Sequence, residues 1–209
     1  MHNQNDPYLY PDVPVLRNLL GIKDAELLTE AEVDITCHAI REITSSPIKG
    51  IYDFSHFCQF HNRIFGSVYD WAGSPRTVPI EKHEPALGTM SIEYSQPENI
   101  VFDAEAVLTK IAMEDWATLG PDELPKVLAE HMANLWKVHP FRDGNTRTTI
   151  IFFCQLIESK GIYVDRRLFE QNASYLRAAL VAASAVYSDI DLRQSQYLVR
   201  IVKDSLYMN

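Results

Sequence analysis

His139-Pro-Phe-Arg-Asp-Gly-Asn-Thr-Arg147 runs without a break into Thr148-Thr-Ile-Ile-Phe-Phe-Cys-Gln-Leu-Ile-Glu-Ser-Lys160. From Asn145 onward apolar residues fall at every angle of a helix, the pattern of a helix buried all round, and Gly161 closes it. The residues before it are polar and hold Pro140 and Asp143-Gly144, so they read as a loop. On the other side of that loop Leu124, Val127, Leu128, His131, Leu135 and Val138 recur at helical spacing until Pro140 ends the run. A polar loop gripped between two helices, one of them central, sets the architecture: a helical bundle built around one functional loop.

Working outward, Leu28, Ala31, Ile35, Ala39 and Ile43 mark an amphipathic helix over Asp24–Ile43, stopped by Ser46-Pro47. Asp53 caps a helix with Phe54, Phe57, Cys58, His61 and Phe65 inside, and Gly66 is its terminator. Between Trp71 and Tyr94, Gly73, Pro75, Pro79, Pro85 and Gly88 forbid a long helix, and Arg76-Thr77-Val78 with Ile80 favour extended backbone. That stretch reads as a small β-hairpin flap, with Glu81-Lys-His-Glu84 as its solvated tip. Ser95-Gln-Pro-Glu98 has the form of a capping box ahead of Ala104, Val107, Leu108 and Ile111. Asp165 and Asp191 cap two further helices, the first carrying Leu168, Leu176 and Leu180, the second Leu198 and Ile201. The fold class is mainly α with one small hairpin, as a flexible stretch over residues 1–7 and a single folding unit over residues 8–209.

Composition narrows the function. Forty-six per cent hydrophobic and 22% charged residues over 209 positions exclude disordered and fibrous classes. A net charge of −9 disfavours nucleic acid and anionic lipid as partners, so any phosphate site must be a local one. Cys37, Cys58 and Cys154 are odd in number and lie in apolar stretches, which fits a reducing cytoplasm. The apolar run Ile150–Ile157 is too short to cross a bilayer, and no secretory signal stands at the amino terminus. His56, His61 and His131 read as buried, hydrogen-bonded histidines, and Trp71 and Trp136 as core anchors.

The loop's composition suits phosphate chemistry. Gly144 lets backbone approach a ligand, the N–H groups opening the helix at Asn145 form an anion site, and Arg147 adds a bidentate cation. Asp143 is a lone carboxylate of the kind that shares Mg²⁺ with phosphate oxygens and water. His139 stands at the other rim as a base. The same residues also suit a plain helix end, a common turn dipeptide and an arginine that only holds a neighbouring carboxylate, so spacing alone leaves both readings standing.

These nine residues resemble the signature of the Fic family, HPFx[D/E]GNxR, which usually has Gly at the eighth place. Tyr69-Asp-Trp-Ala-Gly73 with Arg76-Thr77 resembles the family's approach to its flap. Asp6-Pro-Tyr-Leu-Tyr-Pro11 with Leu19-Leu-Gly-Ile22 resembles its amino-terminal segment. The resemblance implies a helical fold and transfer of AMP from ATP, with Mg²⁺, to a Ser, Thr or Tyr hydroxyl of a target protein, releasing pyrophosphate. It implies His139 as base, Asp143 as the Mg²⁺ ligand, Gly144 and Asn145 as anion hole and Arg147 on the outer phosphates. Phe141 and Thr146 complete the nucleotide-binding loop, Phe141 as its apolar anchor. Thr77, Val78, Pro79 and Ile80 form the flap edge that docks the target as an added strand. Thr146 departs from the family's Gly, and its hydroxyl can donate to phosphate. Arg142 is left without a role.

Many family members carry an inhibitory helix of pattern [S/T]xxxE[G/N]. Ser45-Ser-Pro-Ile-Lys49-Gly50 has Lys where Glu is required, and Ser205-Leu-Tyr-Met-Asn209 lacks the acid, so the expectation is an unobstructed site. The resemblance then implies restraint by a small separate antitoxin, a toxin-like bacterial arrangement, or no such restraint. Two further classes are compatible with the loop: a phosphotransferase of the related Doc type, and a silent nucleotide- or protein-binding module.

Overall fold

The computed structural model describes residues 6–88, 90–187 and 190–207. Its helices are α1 (Ala25–Ser45), α2 (Phe54–Phe65), α3 (Ile100–Met113), α4 (Leu124–Val138), α5 (Asn145–Glu158), α6 (Arg166–Gln171), α7 (Ala173–Ala183) and α8 (Gln196–Ser205). Strands β1 (Tyr163–Val164) and β4 (Leu206–Tyr207) pair antiparallel, as do β2 (Val186–Tyr187) and β3 (Ile190–Asp191). The mainly α class is as the sequence predicts. Among the described residues no helix is long and apolar enough to cross a membrane. Of the stretch expected to be flexible, residues 1–5 lie outside the described residues, as do Asn209 and its neighbour at the carboxyl end.

The central helix is central because its sequence has no polar face. Ile151, Phe152, Phe153, Cys154, Leu156 and Ile157 are all buried, and α5 packs against α2 and α4. Phe152 meets Phe57 and Phe60 of α2 edge to face, at 5.1 and 5.4 Å between ring centroids. Gln155 makes its place in this apolar setting by satisfying the Ile48 backbone, accepting from its N–H and donating to its carbonyl. Asp53 and Asp165 cap α2 and α6 through side-chain oxygens, as expected, and Asp24, expected as the first residue of its helix, caps α1 in the same way.

Other local expectations give way to different hydrogen bonding. Ser95–Glu98 forms no capping box: Pro97–Asn99 is a short 3₁₀ turn leading into α3, and no side chain caps that helix. Asp191 does not cap the last helix but chelates Arg193, and α8 begins after Ser195. The helix expected through Leu168 and Leu180 divides at Asn172, whose amide donates to the Leu168 carbonyl and ends α6. The flap reverses about a 3₁₀ turn at Pro85–Leu87, its arms joined by Glu84 N–H to the Met90 carbonyl and Lys82 N–H to Ser91 Oγ rather than by a regular ladder.

Arg76 ties flap to loop. Its guanidinium, 2% exposed, donates from Nε to the His139 carbonyl at 2.9 Å, from Nη1 to the Val78 carbonyl at 2.8 Å, and from Nη2 to the Ser95 carbonyl. Its backbone N–H donates to the Pro140 carbonyl at 2.7 Å. The loop ends at Gly144, which adopts φ +79 and faces the Phe65 ring so closely that a Cβ would sit 2.4 Å from it. Left-handed backbone disfavours any L side chain, and the ring leaves no room for one. Gly144→Ala is therefore expected to lower stability by about 2–4 kcal/mol, the sum of backbone strain and overpacking, measured by denaturant unfolding.

Candidate active site

His139 caps α4 in left-handed backbone, φ 50 and ψ 57, a conformation uncommon for a residue other than glycine. Its ring is 0% exposed, with Tyr94 4.1 Å and Trp136 5.1 Å away by ring centroid. Nδ1 lies 3.3 Å from the Trp136 carbonyl, which only accepts, so Nδ1 carries the hydrogen. Nε2 is then a bare lone pair, buried and without a partner. Burial, followed by the positive charges of Lys82, Arg177 and Arg76, holds the ring's pKa well below the usual histidine range. The imidazole is neutral and its free nitrogen is available to take a proton.

Asp143 stands across the loop. Burial pushes its pKa up, but Lys82, the Gly144 N–H and Arg147 outweigh that and hold it below the usual carboxylate value. Its own Oδ1 accepts from Gly144 N–H at 2.6 Å. The first-turn N–H groups of α5 have no partner within the helix and open onto this spot, beside a carboxylate that stays ionised. Among the described residues there is no group of three metal-ligating side chains, so a divalent cation here would rely on Asp143 together with ligand oxygens and water.

Several sequence candidates shape the loop from inside. Phe141 is fully buried, stacked on His61 at 3.8 Å, and is an anchor. Asn145 turns its side chain back onto Phe141, donating to its carbonyl at 2.7 Å and accepting from its N–H at 2.9 Å, so only its backbone faces the anion site. His61 is more than the satisfied core histidine expected of it. Nδ1 accepts from Gly73 N–H at 2.8 Å, which puts the hydrogen on Nε2, and that nitrogen donates to the Asp143 carbonyl at 3.0 Å. Arg142, left without a role by its variable place, pairs with Asp6 at 2.8 Å and ties the amino-terminal segment to the loop.

Arg147 and Thr146 diverge from the same turn. Arg147 lies over the Phe65 ring at 4.6 Å and donates to Thr36 Oγ1 at 3.0 Å and Glu32 Oε1 at 2.5 Å. The expectation that this chain sets no acid against the loop is corrected here: Glu32 of α1 does, with Tyr69 hydroxyl donating to its other oxygen. A search for [S/T]xxxE[G/N] could not find it, because Glu32 and Thr36 face Arg147 through helical spacing alone. Thr146 points the other way, its Oγ1 accepting from Trp136 Nε1 at 2.9 Å and lying 3.4 Å from Arg177 Nη1.

On the flap, Val78 and Ile80 are half-buried while Thr77 and Pro79 are exposed, the alternation expected of an extended arm. Thr77 N–H donates to the Tyr8 hydroxyl at 3.1 Å. Pro79 and Ile80 border a cleft of about 790 Å³ floored by Asn134, Lys137 and Val138. The tip departs from expectation: Glu84 is 4% exposed and paired with Arg177, and Lys82 is half-buried. Burial foremost lowers the Lys82 pKa, and Asp143 is the nearest strong opposing influence. The alternation of Val78 and Ile80 continues through Glu81 to Glu84, so Lys82 and Glu84 turn inward, although their charges read as solvated in sequence.

The Fic/DOC family model matches residues 51–157, from before α2 to the end of α5. The chain belongs to the Fic/DOC family. It is 34% identical over 162 residues to the protein adenylyltransferase VbhT of Bartonella schoenbuchensis, covering 77% of this chain and 32% of that one. It is 30% identical to the probable protein adenylyltransferase y4lH of Sinorhizobium fredii, over 79% of this chain and 82% of the other. The chain thus spans about a third of VbhT and most of y4lH. In fold it is similar to the VirB-translocated effector BepC of Bartonella tribocorum, solved with AMPPNP bound, at a TM-score of 0.81 and 20% identity over the whole of both chains.

Burial pushes the His61 pKa down to about 4, against 6.5 for a free histidine. Between those values the unfolded chain binds more protons than the folded one, so stability is fully present above about pH 6.5 and lost as pH falls toward 4. Up to about 3 kcal/mol is at stake from this group. His61→Gln is expected to flatten the dependence of unfolding free energy on pH over that window, measured by denaturant titration at a series of pH values.

Proposed function

We infer that this chain is a protein adenylyltransferase, transferring AMP from ATP to a hydroxyl side chain of a target protein and releasing pyrophosphate. The observation that carries the reading is the buried, unpartnered Nε2 of His139 next to a helix N-terminus flanked by cations. His139 Nε2 takes the target hydroxyl's proton as its oxygen bonds to the α-phosphorus. The bond from that phosphorus to the bridging oxygen breaks, and its electron pair leaves with pyrophosphate. The backbone N–H of Asn145 and the guanidinium of Arg147 meet the phosphate charge that results, joined by the Gly144 N–H once Asp143 Oδ1, its present acceptor, turns to Mg²⁺. Asp143 would hold Mg²⁺ with the phosphate oxygens; when bound, the ion screens phosphate charge.

The arm Thr77, Val78, Pro79 and Ile80 would dock a target loop by strand addition at its Pro79–Ile80 end, which borders the cleft, while Tyr8 and Arg76 hold its Thr77–Val78 end. A groove of about 620 Å³ between α1, α5 and α6, lined by Val33, Ile40, Ile150 and Phe169 and reaching Arg147, is where a small separate antitoxin would seat a helix. A chain with this charge and these thiols works in the cytoplasm of a bacterium, like the bacteria of its relatives, without nucleic acid or membrane as partner.

Incubation with ATP labelled at the α- or γ-phosphate, Mg²⁺ and lysate tests the reading: protein label from the α position is expected, label from γ alone would assign the Doc-type phosphotransferase, and label from neither would leave a silent module. His139→Ala is expected to keep ATP affinity and lose on the order of 10²–10⁴-fold in transfer rate. Asp143→Ala and Arg147→Ala are expected to weaken Mg²⁺-dependent ATP binding by calorimetry. Ile80→Asp should slow target modification with ATP affinity unchanged; wild-type modification rates in that variant would place target docking elsewhere.

A further inference from the structure

Arg177 stands on α7, beyond the residues that the family model matches, yet its guanidinium reaches the loop. Nη2 donates to Glu84 Oε1 at 2.6 Å, a short charge-assisted bond. Nη1 lies 3.4 Å from Thr146 Oγ1, longer than a normal N–H···O bond and so weakly committed. Glu84 is 4% exposed, with the Tyr94 hydroxyl 3.4 Å from its Oε1 as a further partner. A buried carboxylate needs its cation, so Glu84 fixes one edge of the guanidinium. The Arg177 side chain is 38% exposed, which leaves its other edge reachable.

Thr146 adds an independent observation. Its oxygen faces an indole N–H and a guanidinium N–H, and both of those groups only donate. With its lone pairs so engaged, the hydroxyl hydrogen is left to donate to something else. Thr146 is in the first turn of α5, whose backbone N–H groups have no partner within the helix. Trp136 and Tyr94, the partners of Thr146 and Glu84, are the rings packed against His139, whose Nε2 is buried and unpartnered. In a chain of net charge −9, a guanidinium whose charge is felt at the bare base, beside a hydroxyl with a hydrogen to donate, suits an anion.

We propose that Arg177 and the Thr146 hydroxyl bind the phosphate group that undergoes attack, with Glu84 of the flap as the positioning residue for Arg177. This rests on the adenylyl-transfer reading above and gives a task to the threonine that stands where the family usually has glycine. Glu84 of the flap meets Arg177 of α7, so the segment that lies over the base also aims a cation at the phosphate.

The test measures Mg²⁺-ATP and adenosine affinity by calorimetry, and kcat and KM with α-labelled ATP. Arg177→Ala is expected to lose on the order of tenfold or more in ATP affinity or kcat/KM with adenosine affinity unchanged, Arg177→Lys to recover part of it, and Thr146→Gly to lose several-fold. Since Arg177→Ala strands a buried carboxylate, the double variant Glu84→Gln/Arg177→Gln, which leaves no charge unpaired, should fold and show the same selective loss. Glu84→Gln should weaken ATP binding in the wild-type background and add nothing once Arg177 is Gln, as a positioning role requires. Wild-type ATP affinity and kcat/KM in the folded double variant, or equal losses for adenosine and ATP, would overturn the assignment. Absence of α-label with the wild-type chain would instead overturn the adenylyl-transfer reading, and this proposal with it.

Discussion

Arg76 is a buried cation, 2% exposed, and it is satisfied by carbonyl oxygens alone in the bonds that it makes: those of Val78 on the flap, Ser95 at its end, and His139. Removing a guanidinium from water is costly, and burial lowers its pKa; the cost is met only while every one of those carbonyls stays in place. The flap arms and the end of α4 are therefore not free to move independently at this point. The left-handed turn at His139, which points its carbonyl at Nε of Arg76, is held by the same constraint. Base and flap share a single fastening.

Around that fastening the charges are arranged in pairs that each join different parts of the chain. Asp6 reaches Arg142 from the amino-terminal segment, Glu32 reaches Arg147 from α1, and Glu84 reaches Arg177 from the flap to α7. Each arginine is thus oriented by an acid remote in sequence, while Asp143 and Lys82 act on each other through space. Exposed ion pairs contribute little, but these are partly buried, and breaking one would leave a charge without compensation. Their shared effect is to fix guanidinium planes around the first turn of α5 before any ligand binds, which is the preorganisation that electrostatic stabilisation needs.

How much of this could be read from the residues depends on the range of the interaction. The helices and their caps at Asp24, Asp53 and Asp165 are local in origin, and their signals lie within four residues of the place they act. The loop was legible for the same reason, since His139 to Arg147 is one continuous string. What escaped was long-range. Glu32 meets Arg147 across 115 positions and Arg177 meets Glu84 across 93, and no periodicity announces such a meeting. His61 looked like a core residue because it is one; its second task, holding the Asp143 carbonyl, depends on the loop folding over it. Asp191 carries the right chemistry for a cap but is claimed by Arg193, a competition that local pattern cannot rank, and Ser95 stands before a 3₁₀ turn that no side chain caps.

The burial of His139 has a consequence for selectivity between nucleophiles. Water outnumbers any protein hydroxyl by many orders of magnitude, and a solvent-exposed base beside an activated phosphate would deprotonate water and hydrolyse the nucleotide. Here the reactive nitrogen is sealed under the rings of Tyr94 and Trp136, with no solvent contact. If the flap docks the target as proposed, a small, untethered nucleophile would gain nothing from it, whereas a polypeptide would use that binding to displace the seal and deliver a hydroxyl in one event. On the adenylyl-transfer reading such a pocket would act as a filter on size and attachment, with the rings of Tyr94 and Trp136 keeping idle hydrolysis slow.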